Sequence, residues 1–150
     1  MIYSELTRTA MRIACAAHQG QEDKGGFPYI HHPLHLAEQM TDELTCAAAL
    51  LHDVVEDTDW TLAQLAQQGI PAPVLEALAL LTHAPDTPYL DYVRNLSGNP
   101  IARAVKLADL RHNSDPSRLS NPDGNARARL NKYARAAALL EAAENGDAAP

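Results

Sequence analysis

Apolar residues return every three or four positions along most of this chain, and the breaks between the runs fall at glycines and prolines. Between Ile2 and His18 the positions Leu6, Ala10, Ile13, Ala14 and Ala17 recur at helical spacing, which predicts a first amphipathic helix. The stretch QGQEDKGGFPYI cannot continue it: Gly25, Gly26 and then Pro28 predict an irregular polar loop. A second helix is expected from near Pro33, a residue tolerated in a first turn, to about Thr41. The third, TDELTCAAALLHDVVED, opens at a Thr41 or Asp42 cap and carries an acidic cluster at its far end. TLAQLAQQG reads as a short helix with a capping box at Thr61 and Gln64 and a stop at Gly69. Pro71 and Pro73 launch VLEALALLTH, Pro88 launches YLDYVRNLSG, and Pro100 launches IARAVKLADLRHN. After the turn-rich DPSRLSNPDGN comes an alanine-rich helix, ARARLNKYARAAALLEAA, and a frayed tail. No segment alternates with period two and no internal repeat is visible, so the expectation is all-α: a single bundle of seven or eight helices over residues 1–143, with a flexible tail at 144–150.

Composition sharpens this picture. A chain of 150 residues suits one core. It is 46% apolar but only 5% aromatic, so that core is expected to be aliphatic. The net charge of −7, without a lysine or arginine run, argues against nucleic acid as a partner. Cys15 and Cys46 lie in apolar helical patterns without the close pairing of a zinc or redox motif, which predicts free buried thiols in a reducing compartment. No stretch approaches the ~18 apolar residues of a membrane span, and the expected location is the cytoplasm.

The acidic end of the third helix is where stability and composition conflict. LHDVVEDT holds His52, Asp53, Glu56 and Asp57, and on a continuous helix these four share one surface. Carboxylates at that spacing repel one another, and a helix C-terminus disfavours negative charge. A divalent cation resolves the conflict, with His52 and Asp53 as nitrogen and oxygen donors and Glu56 and Asp57 one turn on, free to handle protons. The bland reading is a solvated helix end, with Asp57, Thr58 and Asp59 capping the helix after it. Two further stretches bear on the choice. PYIHHPLHLAEQM offers His31, His32 and His35 at the start of the second helix, and VKLADLRHN sets Asp109 among Val105, Leu107, Ala108 and Leu110. An acid in that apolar company either meets a cation or lies on a narrow polar stripe.

The order His, His-Asp, Asp resembles the HD-domain metal-dependent phosphohydrolases. AHQGQEDKGGFPYIHHP, AALLHDVVEDT and VKLADLRHN together resemble the hydrolase domain of RelA/SpoT-type alarmone enzymes and the small stand-alone alarmone hydrolases, over roughly residues 14–114. That resemblance implies an HD-domain bundle with His32, His52, Asp53 and Asp109 as metal ligands. It implies Glu56 and Asp57 as the pair that orients or activates the attacking water, Asn113 at the substrate's sugar, and Lys24 near the base or phosphates. Such a donor set suits one Mn²⁺ per chain and does not by spacing alone exclude Zn²⁺ or Fe²⁺. The implied partner is a small-molecule nucleotide: a (p)ppGpp whose 3′-pyrophosphate is released, leaving GDP or GTP.

The chain departs from the family pattern at two places. Where the loop usually carries an arginine and lysine pair it has Asp23 and Lys24, and an aspartate does not stack and donate as a guanidinium does. Leu110 and Arg111 also stand in interchanged order. Another phosphorylated nucleotide, an adenosine alarmone or the 2′-phosphate of NADPH, is therefore the alternative substrate. A non-catalytic nucleotide sensor is a rival from another class, although no ligand or acid position is missing. A di-iron HD oxygenase is a second, but it needs more histidines between Asp53 and Asp109 than His83 supplies.

Overall fold

A computed structural model describes residues 1–118 and 125–146. Nine α-helical segments order the described residues: α1 Glu5–Ala17, α2 His31–Glu38, α3 Glu43–Leu51, α4 Val54–Asp57, α5 Leu62–Gln67, α6 Ala72–Leu81, α7 Tyr89–Leu96, α8 Pro100–Asn113 and α9 Ala126–Glu144. Among the described residues the extended structure amounts to one isolated bridge, Glu22 to Pro28, in the loop after α1. The all-α bundle expected from the pattern is thus the fold, with eight helices if α3 and α4 count as one broken helix. Part of the turn-rich connector (119–124) and most of the tail (147–150) lie outside the described residues.

Local chemistry sets several helix ends. Ser4 caps α1: its hydroxyl accepts from the Thr7 N–H at 3.1 Å, and Thr7 Oγ1 accepts from the Ser4 N–H at 2.9 Å. Asp42, of the two residues considered, caps α3 by accepting from the Thr45 N–H at 2.9 Å. The Thr61 and Gln64 box forms as the sequence predicts. Asn99 caps α8, with Pro100 in its first turn. The loop after α1 turns at Gly26, whose φ of +83° is open to glycine but strained for other residues.

α3 is the central element. Every residue from Thr45 to Leu51 is buried, and the helix packs against α1, α2, α6 and α8. Its alanines 47–49 let those helices approach closely, while Leu36, Leu50, Leu51, Leu78, Leu96, Leu110 and Leu140 fill the core. Each such side chain contributes about 1.5–3 kcal/mol by leaving water. Cys46 is buried as expected, but Cys15 is exposed, because it falls on the outer face of α1.

One expectation is corrected. The third helix does not run unbroken through the acidic cluster; it stops at Leu51, turns through His52 and Asp53, and restarts as α4. Ala49 O, which the N–H of Asp53 would use in a continuous helix, instead meets His52 Nδ1 at 2.7 Å. The side chain of His52 thereby takes a backbone position in the ladder. His52 and Asp53 consequently do not lie in simple helical register over Glu56 and Asp57.

Candidate metal centre and active site

The break at His52 turns two side chains inward toward two other helices. His32 sits in the first turn of α2 and Asp109 three quarters of the way along α8, and both are buried with His52. Among the described residues one group of three or more such donors comes within reach of a single cation: His32, His52 and Asp109, whose ligand atoms all lie within 4.8 Å of one another. Asp53 adjoins them, its Oδ2 lying 3.0 Å from His52 Nε2 and 4.0 Å from His32 Nε2. Asp109 Oδ1 lies 2.9 Å from His32 Nε2 and 3.6 Å from His52 Nε2. The four residues expected as ligands are therefore brought together from positions 32, 52, 53 and 109.

The tautomers test whether a cation fits. A carbonyl oxygen only accepts, so His52 Nδ1 carries a proton and donates it to Ala49 O. That leaves Nε2 with a lone pair; it is fully buried and has no hydrogen-bond partner of good geometry, although two carboxylates face it. A buried lone pair aimed at carboxylate oxygens is a costly arrangement alone and the expected one around a divalent ion. Desolvation disfavours the imidazolium of His52, but Asp53 and Asp109 outweigh it and hold the ring well above its ordinary range. A divalent cation competes with that proton for the same atom.

The remaining atoms of the cluster are held from behind. Lys106 Nζ donates to Asp109 Oδ2 at 2.9 Å, which leaves Oδ1 to the histidines. Burial works against the Asp109 carboxylate, but Lys106, His32 and His52 hold it well below the usual carboxylate range. Tyr29 donates its hydroxyl proton to Asp53 Oδ2. Burial and the Asp53 charge push that phenol above its ordinary range, so it stays a donor. His32 Nδ1 meets His112 Nδ1 at 2.7 Å in nearly parallel ring planes. Burial, then the nearby Arg118, pushes His112 down to about 3 and keeps it neutral. Desolvation likewise lowers His32. One of two neutral rings must donate; when His32 does so, its Nε2 lone pair is free for a cation.

Glu56 and Asp57 stand exposed beside this cluster on α4. Glu56 Oε1 accepts from the His83 N–H at 3.0 Å, which fixes its direction from the α6–α7 connection. Desolvation first, and then neighbouring carboxylates, raise the pKa of both acids above ordinary values. His83 itself stacks on Tyr92 at 4.5 Å and turns its Nε2 to Thr87 O, away from ligand duty.

A cavity of about 310 Å³ opens against His32 and runs between the loop after α1 and α9. Lys24, Tyr29, Asn113, Arg118 and Arg129 line it. Asn113, expected at the substrate's sugar, also donates from Nδ2 to Asp109 Oδ1 at 3.0 Å and accepts from Arg118 at 3.1 Å, so it joins the metal cluster to the cavity. Sequence reasoning missed four supporting residues. Lys106 and His112 had a readable signal, each lying three positions from Asp109 on one face of α8. Tyr29 and Arg118 had none.

An all-helical bundle with a buried His32-His52-Asp109 cluster, Asp53 adjoining it and two acids beyond the helix break has the arrangement of an HD-type centre that could hold a metal. The comparisons agree. A family model described as HD domain matches residues 10–78. The mouse guanosine-3′,5′-bis(diphosphate) 3′-pyrophosphohydrolase MESH1 is 34% identical over 145 residues, covering 87% of this chain and 80% of the mouse protein. A probable GTP pyrophosphokinase of Mycobacterium leprae is 32% identical over 136 residues, and there the match spans 81% of this chain but only 17% of the longer protein. The solved structure of a metazoan ortholog of SpoT superposes with a TM-score of 0.76 at 24% identity, covering 99% of this chain and 91% of that one. The chain belongs to the HD-domain family, together with mouse MESH1.

Proposed function

We propose that this protein is a metal-dependent (p)ppGpp 3′-pyrophosphohydrolase, releasing pyrophosphate and GDP or GTP. The observation that carries the reading is the unpartnered, buried Nε2 of His52 facing Asp53 and Asp109, beside His32 and next to two acids with raised pKa. Kinship with MESH1 over most of the chain supplies the substrate class. His32, His52, Asp53 and Asp109 hold one divalent cation per chain; two imidazoles and two carboxylates suit Mn²⁺. When bound, that ion neutralises charge on a pyrophosphate and lowers the pKa of water.

The chain's own groups do the rest. Asp57 and Glu56 orient a water against the phosphorus joined to the 3′ oxygen, and one of them takes its proton. The hydroxyl oxygen ends on pyrophosphate, the bond from phosphorus to the 3′ oxygen breaks, and the proton ends on that oxygen. Asn113 holds the sugar and Lys24 reaches the phosphates or base from the loop, both lining the cavity that starts at His32.

The test is a Mn²⁺-supplemented nucleotide assay with product identification and metal quantification. Pyrophosphate from ppGpp, with about one metal per chain, is the expected result. Replacing Glu56 and Asp57 together by Gln and Asn is expected to abolish turnover and leave metal content unchanged. Single phosphates released from a different nucleotide, or full turnover by the double variant, would overturn the assignment.

A further inference from the structure

The cavity beside the metal cluster has a feature that the hydrolytic chemistry does not use. Asp23 and Arg118, 95 residues apart, meet across it at 3.4 Å. Both ends of this pair are built. Asp23 Oδ1 accepts from the Gly25 N–H at 2.9 Å and the Phe27 N–H at 3.0 Å, so the loop after α1 is folded around that oxygen and Oδ2 faces Arg118. Arg118 sits in the 3-10 turn Pro116–Arg118, shaped by the Ser117 N–H donating to Asp115 Oδ1 at 2.9 Å. Its NH1 group donates to His112 O at 3.0 Å and to Asn113 Oδ1 at 3.1 Å. Gly25 lets the two segments close up, because a Cβ there would come within 3.1 Å of Arg118 O.

A guanidinium has five N–H groups, and the described residues take three of Arg118's. The remainder are Nε–H and one N–H of NH2, and with Asp23 on the outer N–H of NH2 these two form the side-on fork of an arginine. Beside that fork stands the carboxylate Oδ2. A phosphate approaching the fork would meet the negative charge of Asp23, so the pair suits a neutral group carrying acceptors next to a donor. Guanine presents N7 and O6 as adjacent acceptors, matched to an arginine fork, with N1–H directly after O6. Adenine places an amino donor where guanine has O6, which sets a donor against the fork.

We propose that Asp23 and Arg118 together read the nucleobase of the substrate and select guanine over adenine, Arg118 donating to O6 and N7 and Asp23 Oδ2 accepting from N1–H. The assignment rests on the hydrolase reading for its substrate. Lys24, lining the same cavity, is left to the phosphates.

Two measurements on the Mn²⁺-loaded full chain test it: kcat and KM for ppGpp and for its adenine counterpart, and Kd for GDP and ADP by calorimetry. The wild type is expected to prefer each guanine ligand about tenfold or more. Asp23→Asn, which keeps an acceptor for the loop amides, is expected to raise KM and Kd for the guanine ligands about tenfold while changing kcat and the adenine values less than about threefold. Arg118→Gln is expected to act in the same direction and Arg118→Lys to restore part of the loss. A merely structural pair would weaken both bases equally, so an unchanged guanine-to-adenine ratio in the variants overturns the proposal, as does a wild type without preference. Absence of turnover on both nucleotides, with the GDP preference present and lost in Asp23→Asn, would overturn the hydrolase reading and leave the base reader standing.

Discussion

His112 shows how a residue without a ligand's role can govern one. Its Nδ1 lies 2.7 Å from His32 Nδ1 in a buried contact, and when it accepts there, as it must once a cation occupies the site, it keeps the His32 proton away from the atom facing Asp109. His112→Phe keeps a ring in the same stack but removes the acceptor. Metal affinity, measured by competition with a chromogenic chelator, is expected to fall about 10–100-fold, with the helical circular dichroism retained. Unchanged affinity would show that His32 orients itself. Glu56 and Asp57 carry a cost of another sort. Desolvation and neighbouring acids raise both pKa values, so the folded chain binds these protons more tightly than the unfolded chain does. Their ionised forms therefore oppose folding above the unfolded carboxylate range, and the penalty disappears as pH falls below it. Glu56→Gln with Asp57→Asn is expected to raise Tm at neutral pH, with the gain shrinking toward pH 4, while hydrolysis is lost. For the wild type, activity is expected to fall as pH drops through a pKa above the ordinary 4.5 of Glu56; an acid limb below that value would remove Glu56 from proton transfer.

At the scale of elements, the break between α3 and α4 decides where the chemistry stands. A continuous helix would have spread His52, Asp53, Glu56 and Asp57 down one face. The turn at His52 and Asp53 lets the dipeptide face inward while α4 carries the two acids outward. The interruption stays local because α3 is anchored at its other end by Asp42, whose carboxylate accepts from the Thr45 amide and hydroxyl. Those hydrogen bonds, the hydroxyl first, hold the Asp42 pKa below its ordinary value. Asp42→Ala is expected to cost about 1 kcal/mol, a fall in Tm of roughly 2–4 °C, without altering metal content. A loss of metal would mean that the cap also sets the register of His52. The sequence narrowed this cap to Thr41 or Asp42 and showed the acidic cluster plainly, since both are local patterns. It gave no warning of the break, because every residue from Leu50 to Asp57 tolerates a helix and the interruption comes from one side chain reaching its own backbone.

Across the whole molecule, the cluster ties together α2, the α3–α4 junction and α8, which are far apart in the chain. A cation bound there favours the folded state by mass action, about 2.7 kcal/mol when its free concentration is 100 times Kd. Chelation is therefore expected to lower Tm on the order of 5–10 °C in the wild type and to have little effect in Asp109→Asn. A chelator shift equal in both would place the cation elsewhere. The same three-way meeting explains why the aliphatic core is so continuous beneath the site: α3, which carries His52, is also the helix that α1, α2, α6 and α8 pack against. A buried, ionic cluster is tolerable only on a scaffold whose remaining contacts leave it no room to relax.

By itself the sequence determined the helical runs except for the break at His52, two of the caps, the aliphatic core, and residue types suited to a metal site. These follow from spacing and side-chain chemistry over at most one or two turns. Only the tertiary structure decided that His52 presents Nε2 and not Nδ1, that Tyr29, Lys106 and His112 stand behind the ligands, and that Asp23 answers Arg118 across the cavity. Apart from Lys106, which lies one turn before Asp109 on α8, those are contacts between segments 24 to 95 residues apart, or side chains choosing between two atoms, and no periodicity along a chain records them.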